Sequence, residues 1–203
     1  MTKKKSLGIL ICGHIPEEMQ DKYGDYKRSF ERLLGEDSFD YSGYYVLENE
    51  FPDSVDTCDA WLLTGSRHGV YEDHDWIPPL EKFVVEAYNK NIPMVGICFG
   101  HQLLAQALGG KVEKFEGGWS AGRVEYALDE RFGAPVAALH AFHQDQVVEL
   151  PPQATSLGST EFCQYAAIAY GDKALSLQPH PEFDDEFLSD LLHYRANVLP
   201  EPI

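Results

Sequence analysis

The chain contains no stretch approaching the roughly 20 apolar residues that a membrane-spanning helix needs, so no membrane partner is expected. It is also short of positive charge. Lys and Arg number 16 against 33 Asp and Glu, a net charge of −17, and the one basic run is Lys3, Lys4 and Lys5. A polyanion would be repelled by such a surface, which excludes nucleic acid as an expected partner. The four cysteines, Cys12, Cys58, Cys98 and Cys163, show no paired metal-ligand spacing, which excludes a disulfide framework. The apolar segment after the lysines is too short for a secretory leader and runs at once into His14, Pro16, Glu17 and Glu18. These absences together point to a reducing cytoplasm. There is no G-x-x-x-x-G-K-[ST] phosphate loop, no internal repeat, no low-complexity tract and no long Gly/Ser/Pro linker. ATP chemistry is therefore not expected, and residues 1–203 read as one domain.

What is present suits a globular fold, with 44% hydrophobic and 12% aromatic residues to fill a core. Short apolar runs at residues 7–12, 44–47, 60–64 and 94–97 alternate with helical patterns at 26–34, 80–89 and 100–108. Pro78 and Pro79 open the second of those helices, and Gly109 with Gly110 stops the third. Further strands are expected at 111–115, 123–128, 146–150, 166–170 and 174–178, and a closing helix at 184–198. This rhythm predicts an α/β domain built on an open, mostly parallel sheet flanked by helices.

Residues 95–102 read Val-Gly-Ile-Cys-Phe-Gly-His-Gln, which sets Cys98 between an apolar strand and a helix with Gly96 and Gly100 two positions away on either side. A nucleophile elbow needs this spacing: the turn is tight and strained, and side chains at the flanking positions would strike the strand and the helix. The helix N-terminus beyond the turn favours negative charge on the sulfur. A buried structural cysteine in a Gly-rich turn is the plain alternative. Chance, however, would place G-x-C-x-G in a chain this long only about once or twice in a hundred.

Later the chain reads Gln178-Pro179-His180-Pro181-Glu182-Phe183. Pro181 holds His180 extended, and in an extended segment positions i and i+2 share a side, so Glu182 is placed to hold the His180 imidazole. Cys98 as nucleophile, His180 as base and Glu182 as the group orienting that base form a complete triad in chain order. Of the other histidines, His68 and His74 sit near Asp73 and Asp75 in what reads as a solvated turn, the one place where a metal ion would find ligands.

These motifs resemble those of the class I glutamine amidotransferases, whose G-x-C-x-G-x-Q elbow is matched at 96–102 and whose H-P-E is matched at His180, Pro181 and Glu182. The resemblance extends to Leu62-Leu63-Thr64-Gly65-Ser66 and to Phe142-His143-Gln144-Asp145-Gln146-Val147, and so spans most of the chain. It implies a flavodoxin-like fold and attack by Cys98 on the γ-amide of glutamine or of a γ-glutamyl compound, through a γ-glutamyl thioester. It further implies an oxyanion hole formed by the backbone N–H of Phe99 with that of Gly65 or Ser66, and a grip on the glutamyl end by Gln102, His143, Gln144 and Asp145. Gln102 as an ordinary helix residue and 143–145 as a polar turn remain alternatives. No metal or organic cofactor is implied.

Within the family the chain is similar to stand-alone members such as γ-glutamyl peptidases and lone GMP-synthase-like domains. An independent hydrolase is accordingly expected, with Gly117, Gly118 and Trp119 lining the leaving-amine side; Trp119 reads equally well as a core or lid aromatic. A glutaminase subunit that feeds ammonia to a separate synthase, and a catalytically silent binding domain, are the competing readings.

Overall fold

The computed structural model describes residues 3–199. Its first half follows the βα rhythm: β1 (Ser6–Leu10), α1 (Glu17–Tyr23), α2 (Tyr26–Leu34), β2 (Asp40–Tyr44), β3 (Ala60–Leu63), α3 (Ile77–Asn89), β4 (Met94–Ile97) and α4 (Phe99–Ala107). Strands dominate the second half: β5 (Lys111–Lys114), β6 (Ser120–Leu128), β7 (Val136–His143), β8 (Asp145–Glu149), β9 (Ala154–Ser159), β10 (Ala167–Tyr170) and β11 (Ala174–Leu177), closed by α5 (Asp185–Tyr194). Local chemistry sets several of these ends. Asp25 caps α2 by accepting from the Arg28 N–H at 2.9 Å, and Asp184 caps α5 by accepting from the Phe187 N–H at 2.7 Å.

Among the described residues the main sheet has nine strands in the order β2-β1-β3-β4-β11-β10-β9-β6-β7, and β5 pairs with β8 in a separate ribbon. Pairings from β2 to β11 are parallel and those from β11 to β7 antiparallel. The open α/β architecture expected from the alternating pattern is present, and the parallel half carries the βα units.

Alternation along the strands divides the core between the two faces of the sheet. Leu10 and Leu63 pack with Trp61, Leu80, Phe83, Leu103 and Leu104 beneath α3 and α4, whereas Ile9, Leu62 and Ile97 pack against Phe30 of α2. Trp61 is fully buried, sits edge-on to Phe83 at 4.9 Å and donates its indole N–H to the Val55 carbonyl at 2.8 Å. A further cluster, with Met19, Tyr23, Phe183, Phe187 and Leu191, joins α1 to α5 and will matter for the site.

Several boundaries differ from the sequence reading. The second strand is Asp40–Tyr44, and the apolar residues after it enter a 3-10 turn, Val46–Glu48, that ends at Asn49 with φ 63°. β2 is an edge strand whose residues are half-buried or exposed, so pairing with β1 rather than an apolar run defines it. Helix α1 was not expected, since only Met19 and Tyr23 of its seven residues are buried. β7 and β9 were also not expected, and the closing helix stops at Tyr194 before a 3-10 turn, Ala196–Val198.

Candidate active site

β4 lies between β3 and β11 in the parallel half, so the loops leaving these three strands meet at one edge of the sheet. Open α/β sheets bind their ligands at such carboxyl ends. Cys98 leaves β4 with φ 52° and ψ −101°, a conformation that costs a side-chain-bearing residue about 1–3 kcal/mol. The other non-glycine residues with positive φ among those described are both Asn, which tolerates it. The turn is held from both sides: the Cys98 N–H donates to the Leu177 carbonyl at 2.8 Å and the Gly100 N–H to the Thr64 carbonyl at 3.2 Å. Both flanking glycines are required by close approach. A Cβ on Gly96 would run into the Gly100 carbonyl, and one on Gly100 would come within 2.5 Å of the Leu63 carbonyl oxygen.

His180 follows β11 and is fixed by its own N–H, which donates to the His140 carbonyl of β7 at 2.8 Å. Its ring Nδ1 lies 2.7 Å from Glu182 Oε1, with the two side chains only 4% and 0% exposed. Phe183 stacks flat on the imidazole, centroids 4.0 Å apart, and is itself anchored on Phe187 of α5. Burial alone would lower the His180 pKa. The Glu182 carboxylate, hydrogen-bonded to the ring, and the neighbouring Cys98 sulfur instead hold it well above the usual histidine range. Gly65 closes the group, since a Cβ there would stand 2.9 Å from His180 Cε1 and 3.7 Å from Cys98 Cβ. Among the described residues the backbone N–H groups of Phe99, Gly65 and Ser66 make no hydrogen bond within the protein.

Cys98 and His180 open into a cleft of about 190 Å³ that is also lined by Ser66, Gln102, His143, Gln144 and Asp145. Gly65, Phe99 and Glu182 are not among its lining residues. Gln102, on α4, donates to the Asp145 carbonyl at 2.9 Å and to Gln178 Oε1 at 3.1 Å, so its amide already ties the elbow helix to β8. His143 is buried; its Nδ1 lies 3.2 Å from the Asp145 carbonyl, its Nε2 has no partner, and burial lowers its pKa to about 4. The Gln144 amide donates to the Phe115 carbonyl at 3.1 Å. The Asp145 carboxylate accepts from Tyr71 Oη at 3.1 Å, and burial raises its pKa.

Of the three residues expected to line a leaving-amine side, one reaches the cleft. Trp119 lines the cleft, tilted against Phe142 at 5.2 Å, whereas Gly117 and Gly118 do not reach it. A Cβ on Gly117 would instead strike the Phe115 ring. The cleft is also lined by Arg67, and by Tyr26, Tyr71, Lys114 and Arg195, which the sequence did not single out. Tyr26 reads as part of the apolar face of α2, and Tyr71 gains meaning only from its bond to a residue far along the chain. The possible ligand cluster is also altered: Glu72, rather than Asp73 or Asp75, joins His68 and His74.

With this geometry in hand, a family model described as "Glutamine amidotransferase class-I" matches residues 19–187. The chain belongs to the class-I glutamine amidotransferase family. Among curated relatives of this amidotransferase, "Gamma-glutamyl peptidase 3" of Arabidopsis thaliana is 30% identical, the match covering 97% of this chain and 84% of that protein. "GMP synthase [glutamine-hydrolyzing]" of Vibrio vulnificus is 35% identical over 61% of this chain but only 24% of its own length. Among solved structures, a glutamine amidotransferase of Methylobacillus flagellatus superposes with a TM-score of 0.81 at 20% identity, covering 96% of this chain and 77% of that one, a likeness of fold. Family and relatives are amidotransferases and peptidases, enzymes acting on amide bonds.

Proposed function

We propose that this amidotransferase hydrolyses the γ-amide of a γ-glutamyl compound with Cys98 as nucleophile, His180 as acid and base, and Glu182 as the group that orients and charges His180. One observation carries the reading: a cysteine strained at φ 52° on a strand-to-helix turn shares a cleft with a buried imidazole whose far nitrogen is held 2.7 Å from a fully buried carboxylate. The thiolate adds to the γ-carbonyl, and the oxyanion takes hydrogen bonds from the N–H of Phe99 and of Gly65 or Ser66, which have no competing partner among the described residues. His180, held protonated by its negative neighbours, gives its proton to the departing nitrogen, and a γ-glutamyl thioester remains on Cys98. The now neutral imidazole takes a proton from water, whose oxygen attacks the thioester. Collapse releases glutamate and restores the thiolate beside a protonated His180. No step calls on a metal ion or an organic cofactor. The four free thiols fit a reducing compartment such as the cytoplasm.

The glutamyl end sits against Gln102, His143, Gln144 and Asp145, where its α-amino and α-carboxylate groups must be paired if they are desolvated. Trp119 and Phe142 face the leaving amine. An amine larger than ammonia is favoured because the γ-glutamyl peptidase likeness runs through 97% of this chain. The likeness to part of a GMP synthase supports a second reading, in which glutamine is the substrate and ammonia passes to a separate synthase. Comparing kcat/KM for glutamine, a γ-glutamyl dipeptide and glutathione separates the two. The peptidase reading expects the peptides to be preferred; glutamine preferred by tenfold, about 1.4 kcal/mol in transition-state binding, would defeat it.

A further inference from the structure

The loop between β3 and α3 carries a group of side chains with no part in the chemistry above. His68 Nδ1 lies 3.1 Å from Glu72 Oε2, and His74 Nε2 lies 2.8 Å from the same oxygen. The three donor atoms all fall within 4.8 Å of one another. A zinc ion with ligand bonds of about 2.0–2.1 Å spaces its tetrahedral donors about 3.3 Å apart, so the two histidine–Glu72 separations stand close to those it would impose and the third lies within 4.8 Å. The turn that presents them is internally fixed: the Glu72 N–H donates to the Gly69 carbonyl at 3.0 Å, His74 N–H to the Glu72 carbonyl at 3.0 Å, and Ile77 N–H to the His74 carbonyl at 3.1 Å. Both imidazoles rest on Trp76, His74 stacked with centroids 6.0 Å apart and His68 edge-on at 6.1 Å, and Trp76 is buried against Phe99. Trp76 thus forms a packed floor under the cluster, while His68, His74 and Glu72 remain 22%, 33% and 42% exposed.

We infer that His68, Glu72 and His74 form a binding site for a divalent ion of the zinc class, with water as the fourth ligand. Two imidazoles and one carboxylate suit zinc, cobalt or nickel, and are a poor set for calcium or magnesium, which take oxygen ligands. An ion here would clamp the rim of the cleft, since this loop begins at Gly65 and Ser66 and also carries Tyr71 to Asp145.

The test is isothermal titration of the untagged full-length chain with Zn²⁺, repeated in a Cys98→Ser background so that the cleft thiol cannot supply the binding. One Zn²⁺ per chain is expected in both, with the dissociation constant weakened tenfold or more by His68→Ala and by His74→Ala and unchanged by Asp73→Asn with Asp75→Asn. Co²⁺ bound to the unmutated chain should show the intense visible absorption of a four-coordinate site, a readout that does not depend on any variant folding. Binding that disappears in Cys98→Ser, binding unmoved by both histidine variants, or a Co²⁺ spectrum of the weak six-coordinate type would overturn the assignment.

Discussion

The two walls of the cleft are built differently. One comes from the ends of the parallel strands β3, β4 and β11, where Thr64, Cys98 and His180 are locked by main-chain bonds to neighbouring strands and Gly65, Gly96 and Gly100 make contacts too tight for a Cβ. The other comes from the antiparallel β7 and the β5–β8 ribbon, where His143 and Asp145 sit in strand ladders and the segment is further braced by side chains: Gln102 to a carbonyl, Gln144 to Phe115, Tyr71 to Asp145. Backbone-locked positions suit atoms that must be placed to within a fraction of an ångström for bond making. Side chains braced by other side chains can be re-tailored to a new substrate without disturbing the strands that carry them.

The sharpest way to test that contrast is to remove the sulfur. Cys98→Ala should cut kcat/KM by about 10⁴-fold or more with the fold intact. Cys98→Gly should be equally inactive yet no less stable than the parent in denaturant unfolding, because relief of about 1–3 kcal/mol of backbone strain at φ 52° offsets the greater freedom of an unfolded glycine. A clear loss of stability in Cys98→Gly would mean that the elbow is not strained.

Next in size is the His180–Glu182 pair. His180→Ala should cost about 10²–10⁴-fold in kcat. Glu182→Gln should cost less, and should move the alkaline limb of the pH–rate profile to lower pH, since the carboxylate is a principal cause of the raised His180 pKa. The sign for stability follows from the same direction. A histidine whose folded pKa is raised contributes stability that is fully present below its unfolded value, about 6.5, and is lost as pH rises through the folded one. Unfolding free energy should therefore fall across that window in the parent and fall less in Glu182→Gln. Identical pH profiles for the two would remove Glu182 from its role.

Smaller effects are expected on the antiparallel wall. Asp145→Asn should raise KM about tenfold, roughly 1.4 kcal/mol, with kcat little changed. Tyr71→Phe removes one hydrogen bond, worth about 1 kcal/mol, and should raise KM by less. A drop in kcat as large as that of His180→Ala, in either variant, would erase the distinction between the walls.

Legibility in the sequence follows the same division. The elbow could be read because its constraints are local: Gly96 and Gly100 are needed within two residues of Cys98. Glu182 could be read because Pro181 fixes the spacing that lays it beside His180. The supports of these residues could not be read. Phe183 stacks on His180 only because α5 brings Phe187 behind it, and the His140 carbonyl meets the His180 N–H only through an isolated pairing with β7. Glu72 joins His68 and His74 through a turn whose hydrogen bonds leave no pattern, whereas Asp73 and Asp75 drew attention merely by adjacency. Gly117 failed as a cleft residue for a similar reason, since the nearby Phe115 ring decides where that segment runs.

The central claim is that the γ-glutamyl group passes through a covalent bond to Cys98. It is tested most directly by mixing the chain with a γ-glutamyl peptide, quenching in acid before the steady state, and mapping the digested protein by mass spectrometry. The account predicts the mass of one γ-glutamyl group on the peptide that carries Cys98, discharged by hydroxylamine and absent from Cys98→Ala. Turnover by the parent with no adduct at Cys98, and undiminished in Cys98→Ala, would contradict it.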